Sequence, residues 1–279
     1  MAIRFGYADT SFGQLHYAES GSGRPLLLLH QTPRSWDEFR ELIPLLDDEF
    51  RVLALDMVGF GASASLAAPQ TIESFADAAW EFLDAVNAGP VAVLGHHTGA
   101  AVAMEMAAGR PGEVDAVVLS SCPWTEGSDR NDESGSGGVD RAVREPDGSH
   151  LQTLWNLRRP YYPAPVTNLL DRFLRDALAY GVDPAEGHRA CARYLMADRI
   201  GAVRAPVLLL AAGADPFSMP HVPMLRKGLT GARVVREEVI EDGTVALIER
   251  EAPRVAAAVR SFLNSPDVRA VPEDLRRVR

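Results

Sequence analysis

Residues 91–99 read Val91-Ala92-Val93-Leu94-Gly95-His96-His97-Thr98-Gly99, and the small-residue run Ala100–Ala108 follows directly. The apolar tetrapeptide predicts a buried strand. The run after it predicts a buried helix, because it is apolar nearly all round. Between them the chain must turn sharply. Two glycines four positions apart let such a corner close, since a side chain at either would crowd the crossing backbone. His97, at the apex, then projects into the space above the sheet. An imidazole there suits proton transfer, its unperturbed pKa being about 6.5. The plainer alternative is a ring that only fills space.

The same rhythm extends outward. Pro25–His30, Arg51–Leu55, Val114–Ser120 and Pro206–Ala211 are short, continuous apolar runs, as expected for strands covered on both faces. Ile72, Phe75, Ala76, Ala79, Leu83 and Val86 recur at helical spacing, with Thr71 placed to cap them. Pro253–Leu263 reads as a terminal helix. This alternation predicts an α/β fold with a mostly parallel, doubly wound sheet. The rhythm breaks over 124–200. Residues 125–149 are rich in Gly, Ser, Asp, Glu and Arg and read as a flexible loop, whereas Leu151–Tyr180 and Ala185–Ala197 read as helices. The chain thus divides into a core, 1–123 and 201–279, and an inserted helical cap, 124–200. The tail Ser265–Arg279 is polar with two prolines, and is expected to wrap the surface or fray.

The chain has 279 residues, 47% hydrophobic and 24% charged, with a formal charge of −10. Such an acidic surface argues against nucleic acid and anionic membrane as partners. Lys227 is the only lysine, a bias that suggests a GC-rich bacterial genome. The two cysteines, Cys122 and Cys191, form no disulfide framework. No signal-like segment opens the chain, and Leu26–Leu29 is too short to span a bilayer, so a cytoplasmic location is expected. No His/Cys/Asp grouping has the spacing of a zinc site, and Gly59–Gly61 lacks the setting of a dinucleotide fingerprint. Neither metal nor cofactor is expected. Monomer and homodimer both remain open.

Three motifs in register give the chain a family resemblance. Leu26–Pro33 looks like a strand followed by an H-G-x-P loop, Asp56-Met57-Val58-Gly59-Phe60-Gly61-Ala62-Ser63 matches a D-x-x-G-x-G-x-S turn, and Gly95–Gly99 matches a nucleophile elbow. Together they resemble the α/β-hydrolase superfamily, on the branch of epoxide hydrolases and haloalkane dehalogenases, from about Phe12 to Leu263. The resemblance implies that His97 stands where the nucleophile, usually serine, is found. It places the acid at Asp215, after Val207–Ala212. It places the base in the stretch 242–247, ahead of Glu251-Ala252-Pro253, where no histidine occurs and Ala246 or a near neighbour takes its position. It implies an oxyanion pocket made by the backbone amides of Thr32 and Thr98, with Gln31 in place of a common glycine.

Loss of the distal histidine leaves a gap that a histidine at 97 can partly bridge. Asp215 would then orient His97; alternatively Asp215 only caps a turn. Trp36, Trp124, Trp155, Tyr161 and Tyr162 are candidates to line a pocket beneath the cap, and His221 is placed to reach the same space, even as a displaced base. His30 reads as a loop tie, and His150 and His188 as solvated groups at helix edges. The leading expectation is cofactor-independent acid–base catalysis without hydrolysis, of a lyase or cyclase kind: carbon–carbon bond formation or cleavage, addition or elimination on a bulky, aromatic or polyketide-like carbonyl compound of secondary metabolism. Its alternatives are hydrolysis of an ester, lactone or epoxide with His97 activating water, and an inert small-molecule binding protein.

Overall fold

The apolar runs of the sequence become the middle of one eight-stranded sheet. The structure, a computed structural model, describes residues 2–127, 140, 143–162, 164–165 and 167–269. Its elements are β1 (Arg4–Thr10), β2 (Gly13–Ser20), β3 (Arg24–Leu29), β4 (Phe50–Leu55), α1 (Ile72–Ala85), β5 (Val91–His96), α2 (Thr98–Gly109), β6 (Val114–Ser120), α3 (Ser149–Arg158), α4 (Thr167–Ala177), α5 (Glu186–Arg193), β7 (Val207–Ala212), α6 (Val222–Gly228), β8 (Val235–Ile240), and the closing helices α7 (Leu247–Arg250), α8 (Ala252–Leu263) and α9 (Pro266–Arg269). The sheet order is β1-β2-β4-β3-β5-β6-β7-β8. Strands β3 to β8 run parallel, and β1 and β2 add an antiparallel edge.

Side chains of the central strands alternate between two cores. Leu27, Leu29 and Val93 join α1 and α2 on one face. Leu26, Leu28, Ala92 and Leu94 join α8 on the other. Each fully buried leucine contributes about 2 kcal/mol, so strand register is fixed from both sides. Thr71 caps α1 as its sequence suggests: its Oγ1 accepts from the Ser74 amide at 3.0 Å while Ser74 Oγ accepts from the Thr71 amide at 3.1 Å. Residues 98–108 of α2 are all buried, which explains their small, apolar character.

Strands β1, β2 and β8 are absent from the sequence reading. They lie towards the edges of the sheet and carry polar residues on a solvent face, so no continuous apolar run marks them. The single helix expected over Leu151–Tyr180 is instead α3 and α4, separated by a stretch with Pro160, Pro163 and Pro165. Proline removes an amide donor and clashes with the preceding turn, so the helix breaks there. The flexible loop expected within 125–149 falls mostly on residues outside those described, as does the end of the tail.

The inserted helices sit on the carboxyl ends of the strands. A Cβ on Gly187 of α5 would lie 2.2 Å from Thr32 Cγ2, so the helix backbone rests directly on the loop after β3. On α6, Lys227 is exposed, one turn beyond Met224. No described helix is long and apolar enough to cross a membrane.

Candidate active site

The corner between β5 and α2 holds His97 at φ 47° and ψ −113°, a conformation that a non-glycine residue rarely adopts. Close packing maintains it. A Cβ on Gly95 would lie 2.0 Å from the Gly99 carbonyl oxygen, and one on Gly99 would lie 2.0 Å from that of Leu29. Both glycines are therefore required by contact. The His97 side chain is 14% exposed, at the floor of a cavity of about 610 Å³.

Asp215 follows β7 and brings Oδ2 to 3.0 Å from His97 Nε2. The Phe217 amide donates to Asp215 Oδ1 at 2.9 Å and Ser218 Oγ to Oδ2 at 2.6 Å. Burial opposes ionisation of Asp215, but His97 and these two donors outweigh it and hold the carboxyl well below the usual range. With Asp215 ionised beside Nε2, the proton of a neutral His97 belongs on Nε2. Nδ1 is then the basic atom, and it has no protein partner among the described residues.

His96 differs in every respect. Its Nε2 donates to the Val245 carbonyl at 3.1 Å, and its Nδ1 accepts from Ser120 Oγ at 3.0 Å. Burial, with His97 adjacent, pushes its pKa down to about 3. It is a neutral strut. In the segment expected to hold a base, Val245 faces the cavity while Ala246 is fully buried.

Thr32 and Thr98 meet, their hydroxyl oxygens 3.0 Å apart. Among the described residues neither backbone amide has a protein acceptor, so both remain available to an oxygen in the cavity. Gln31 also lines it, steadied by Glu38, which accepts from the Gln31 amide at 2.8 Å and from its Nε2 at 2.6 Å. His30 ties the loop: its Nδ1 donates to the Gln31 carbonyl at 2.7 Å, and its Nε2 accepts from the Met57 amide at 3.0 Å.

Trp124 and His221 line the cavity together, and the Trp124 amide donates to His221 Nδ1 at 3.1 Å. An acceptor Nδ1 leaves the proton on Nε2, and burial lowers the pKa of the ring. Trp36, Trp155 and Tyr161 do not line the cavity. Trp36 packs edge-on against Phe5, Trp155 joins a small cluster with Leu169 and Leu170, and Tyr161 meets Phe217. Tyr162 is buried in that same cluster. Sequence reading missed Arg158, and His188, expected to be a solvated group at a helix edge, is instead in the cavity wall; the two line it from α3 and α5. Both contact the buried Asp140, a meeting of distant segments that no local pattern announces. Among the described residues, no three of His, Cys, Asp and Glu converge as metal ligands.

A strained corner at the end of a central strand, an acid after β7 and paired amides across from them reproduce a known plan. Residues 24–244 match the family model described as alpha/beta hydrolase fold. The chain belongs to the α/β hydrolase fold family. It is similar to (E)-2-((N-methylformamido)methylene)succinate hydrolase of Acinetobacter baylyi, 25% identical over 80% of this chain and 85% of that one. It is also similar to a soluble epoxide hydrolase of a Corynebacterium species, 37% identical over 34% of this chain and 33% of that one. The chain therefore spans only a third of the epoxide hydrolase's length in that match. A hydrolase structure from Pseudomonas aeruginosa superposes with a TM-score of 0.79 at 21% identity, covering 94% of this chain and 99% of that one, which supports the fold.

These relatives overturn the expectation of a non-hydrolytic enzyme. Both curated proteins are hydrolases, and they speak for hydrolysis instead of lyase or cyclase chemistry, carbon–carbon bond formation or secondary metabolism. Absence of the serine and of the distal histidine does not exclude hydrolysis. Those losses remove a covalent relay, but they leave an imidazole, a carboxylate beside it and two amide donors at the cavity, unpaired among the described residues.

Proposed function

We propose that this α/β-hydrolase-fold protein hydrolyses a small ester or lactone by direct attack of water. The observation that carries the reading is His97, held at the corner with Nε2 beside Asp215 and Nδ1 free toward the cavity. A water at Nδ1 gives up a proton to the ring as its oxygen bonds to the substrate carbonyl carbon. The carbonyl oxygen takes the negative charge and is held by the Thr32 and Thr98 amides. Asp215 stabilises the imidazolium. When the tetrahedral intermediate collapses, the bond to the alcohol oxygen breaks, and the proton on Nδ1 passes to that oxygen. The products are an acid and an alcohol. The cap, which we place at 124–200, shields the reaction from bulk water, and Trp124 and Phe217 offer a flat apolar wall for an unsaturated part of the substrate. Paired amides suit a carbonyl better than an epoxide. The names of the relatives, one an amide-bearing succinate hydrolase and one an epoxide hydrolase, support the hydrolytic class.

The test is hydrolysis of short-chain esters by the parent and by His97→Ala. The variant is expected to lose about 10²- to 10⁴-fold in kcat while keeping its circular dichroism spectrum. In water enriched in oxygen-18, a single turnover should label the acid product, and quenched enzyme should carry no acyl adduct by mass spectrometry. A trapped acyl-enzyme, or full activity in His97→Ala, would refute the mechanism.

A further inference from the structure

Two charged groups in the cavity wall, Arg158 and the exposed Glu126, have no part in the reaction just described. Arg158, on α3, is 3% exposed yet lines the cavity, and it is the only Arg or Lys among the lining residues. Its guanidinium is fixed on two sides. Nε and Nη2 both donate to the carboxylate of Asp140, and the cation sits 4.5 Å over the Phe173 ring. His188, also in the wall, donates Nε2 to the same carboxylate. Asp140 is wholly buried and is held ionised, since Arg158 and His188 outweigh the burial that opposes it.

This arrangement uses one edge of the guanidinium fork and leaves the other. Nη1 has no acceptor among the described residues. An ion pair buried in a cap contributes little to stability compared with apolar packing, and a wall meant only for a neutral ester needs no guanidinium. A fork pre-oriented by a buried carboxylate is instead suited to a second, planar carboxylate.

Building on the ester-hydrolase reading, we propose that Arg158 binds a carboxylate carried by the substrate, so the preferred substrates are half-esters of dicarboxylic acids. Asp140 and His188 act as positioning residues for the guanidinium.

The test compares monomethyl adipate with methyl hexanoate, esters of matched length that differ in the terminal carboxylate. The parent should favour monomethyl adipate in kcat/KM by about tenfold or more, as expected for a charge-assisted pair. Arg158→Gln should raise KM for monomethyl adipate by a similar factor and leave methyl hexanoate unchanged. Because Arg158→Gln strands Asp140, the double variant Arg158→Gln/Asp140→Asn provides a neutral counterpart, and its methyl hexanoate activity reports that the cap is intact. Equal losses on both esters would mean that Arg158 only holds the cap, and would overturn the proposal. So would a parent that favours methyl hexanoate, an outcome that leaves the hydrolase reading standing. Calorimetric binding of monomethyl adipate to His97→Ala and to His97→Ala/Arg158→Gln measures the subsite apart from turnover. Equal affinity in the two proteins would overturn the subsite even if neither ester is hydrolysed.

Discussion

Two adjacent imidazoles, His96 and His97, differ because their surroundings leave them different atoms. His97 keeps Nδ1 free in the cavity; His96 spends both ring nitrogens on Ser120 and Val245. The pKa of His96 is about 3 in the fold against 6.5 ordinarily. Between those values the unfolded chain takes up a proton that the folded chain refuses. The contribution of His96 to stability is therefore complete above about pH 6.5 and is lost as the pH falls toward 3. The expected loss of that contribution by pH 4 is on the order of a few kcal/mol. Urea unfolding of the parent at pH 7 and pH 4, beside His96→Gln, measures it. The stability of the variant relative to the parent should rise between pH 7 and pH 4, and an unchanged difference would assign the effect elsewhere.

Helix α1 is secured at its start by the reciprocal bonds of Thr71 and Ser74. Thr71→Ala should cost about 1 kcal/mol, read as a lower urea midpoint with unchanged hydrolytic activity, because α1 does not reach the cavity. This cap was legible in the sequence, and so were the central strands and the corner at His97. Each is written locally, as an apolar run, a capping pattern or a pair of glycines. The edge strands β1 and β8 were not legible, because a half-solvated strand has no continuous apolar signature. Within the site, the positions of His97, Asp215, Thr32 and Thr98 could be read through the family resemblance, which places each of them shortly after a strand end. Arg158 and His188 could not, since they are joined only through Asp140. Trp36 shows the converse limit: an aromatic residue near a site loop satisfied itself against Phe5 instead.

Cap and core are joined by a buried charge network. Arg34, fully buried after β3, contacts Asp176 of α4 at 3.0 Å and Glu249 of α7. Arg172 and Arg175 of α4 reach Asp37, Arg172 also meets Glu41, and Arg40 contacts Asp37. Four guanidinium groups thus face four carboxylates besides Glu38. Glu38 would upset this balance if ionised; burial and the neighbouring Glu249 push its pKa up to about 8. The folded protein then keeps a proton that the unfolded chain releases near 4.5, so stability falls as the pH rises from about 4.5 to 8. Glu38→Gln, neutral throughout, should flatten this decline in urea unfolding between pH 5 and pH 9; an undiminished slope would place the proton on another group. His96 and Glu38 thus bound the range of greatest stability from opposite sides. The sole lysine has a practical corollary. Lys227 lies one turn along α6 from Met224, which borders the cavity. Amine-reactive dyes or resin linkers have no other lysine ammonium to modify, so a fluorophore coupled there would sit one helical turn from the cavity wall and report its occupancy, whereas attachment to a solid support through it would crowd that same side of the molecule.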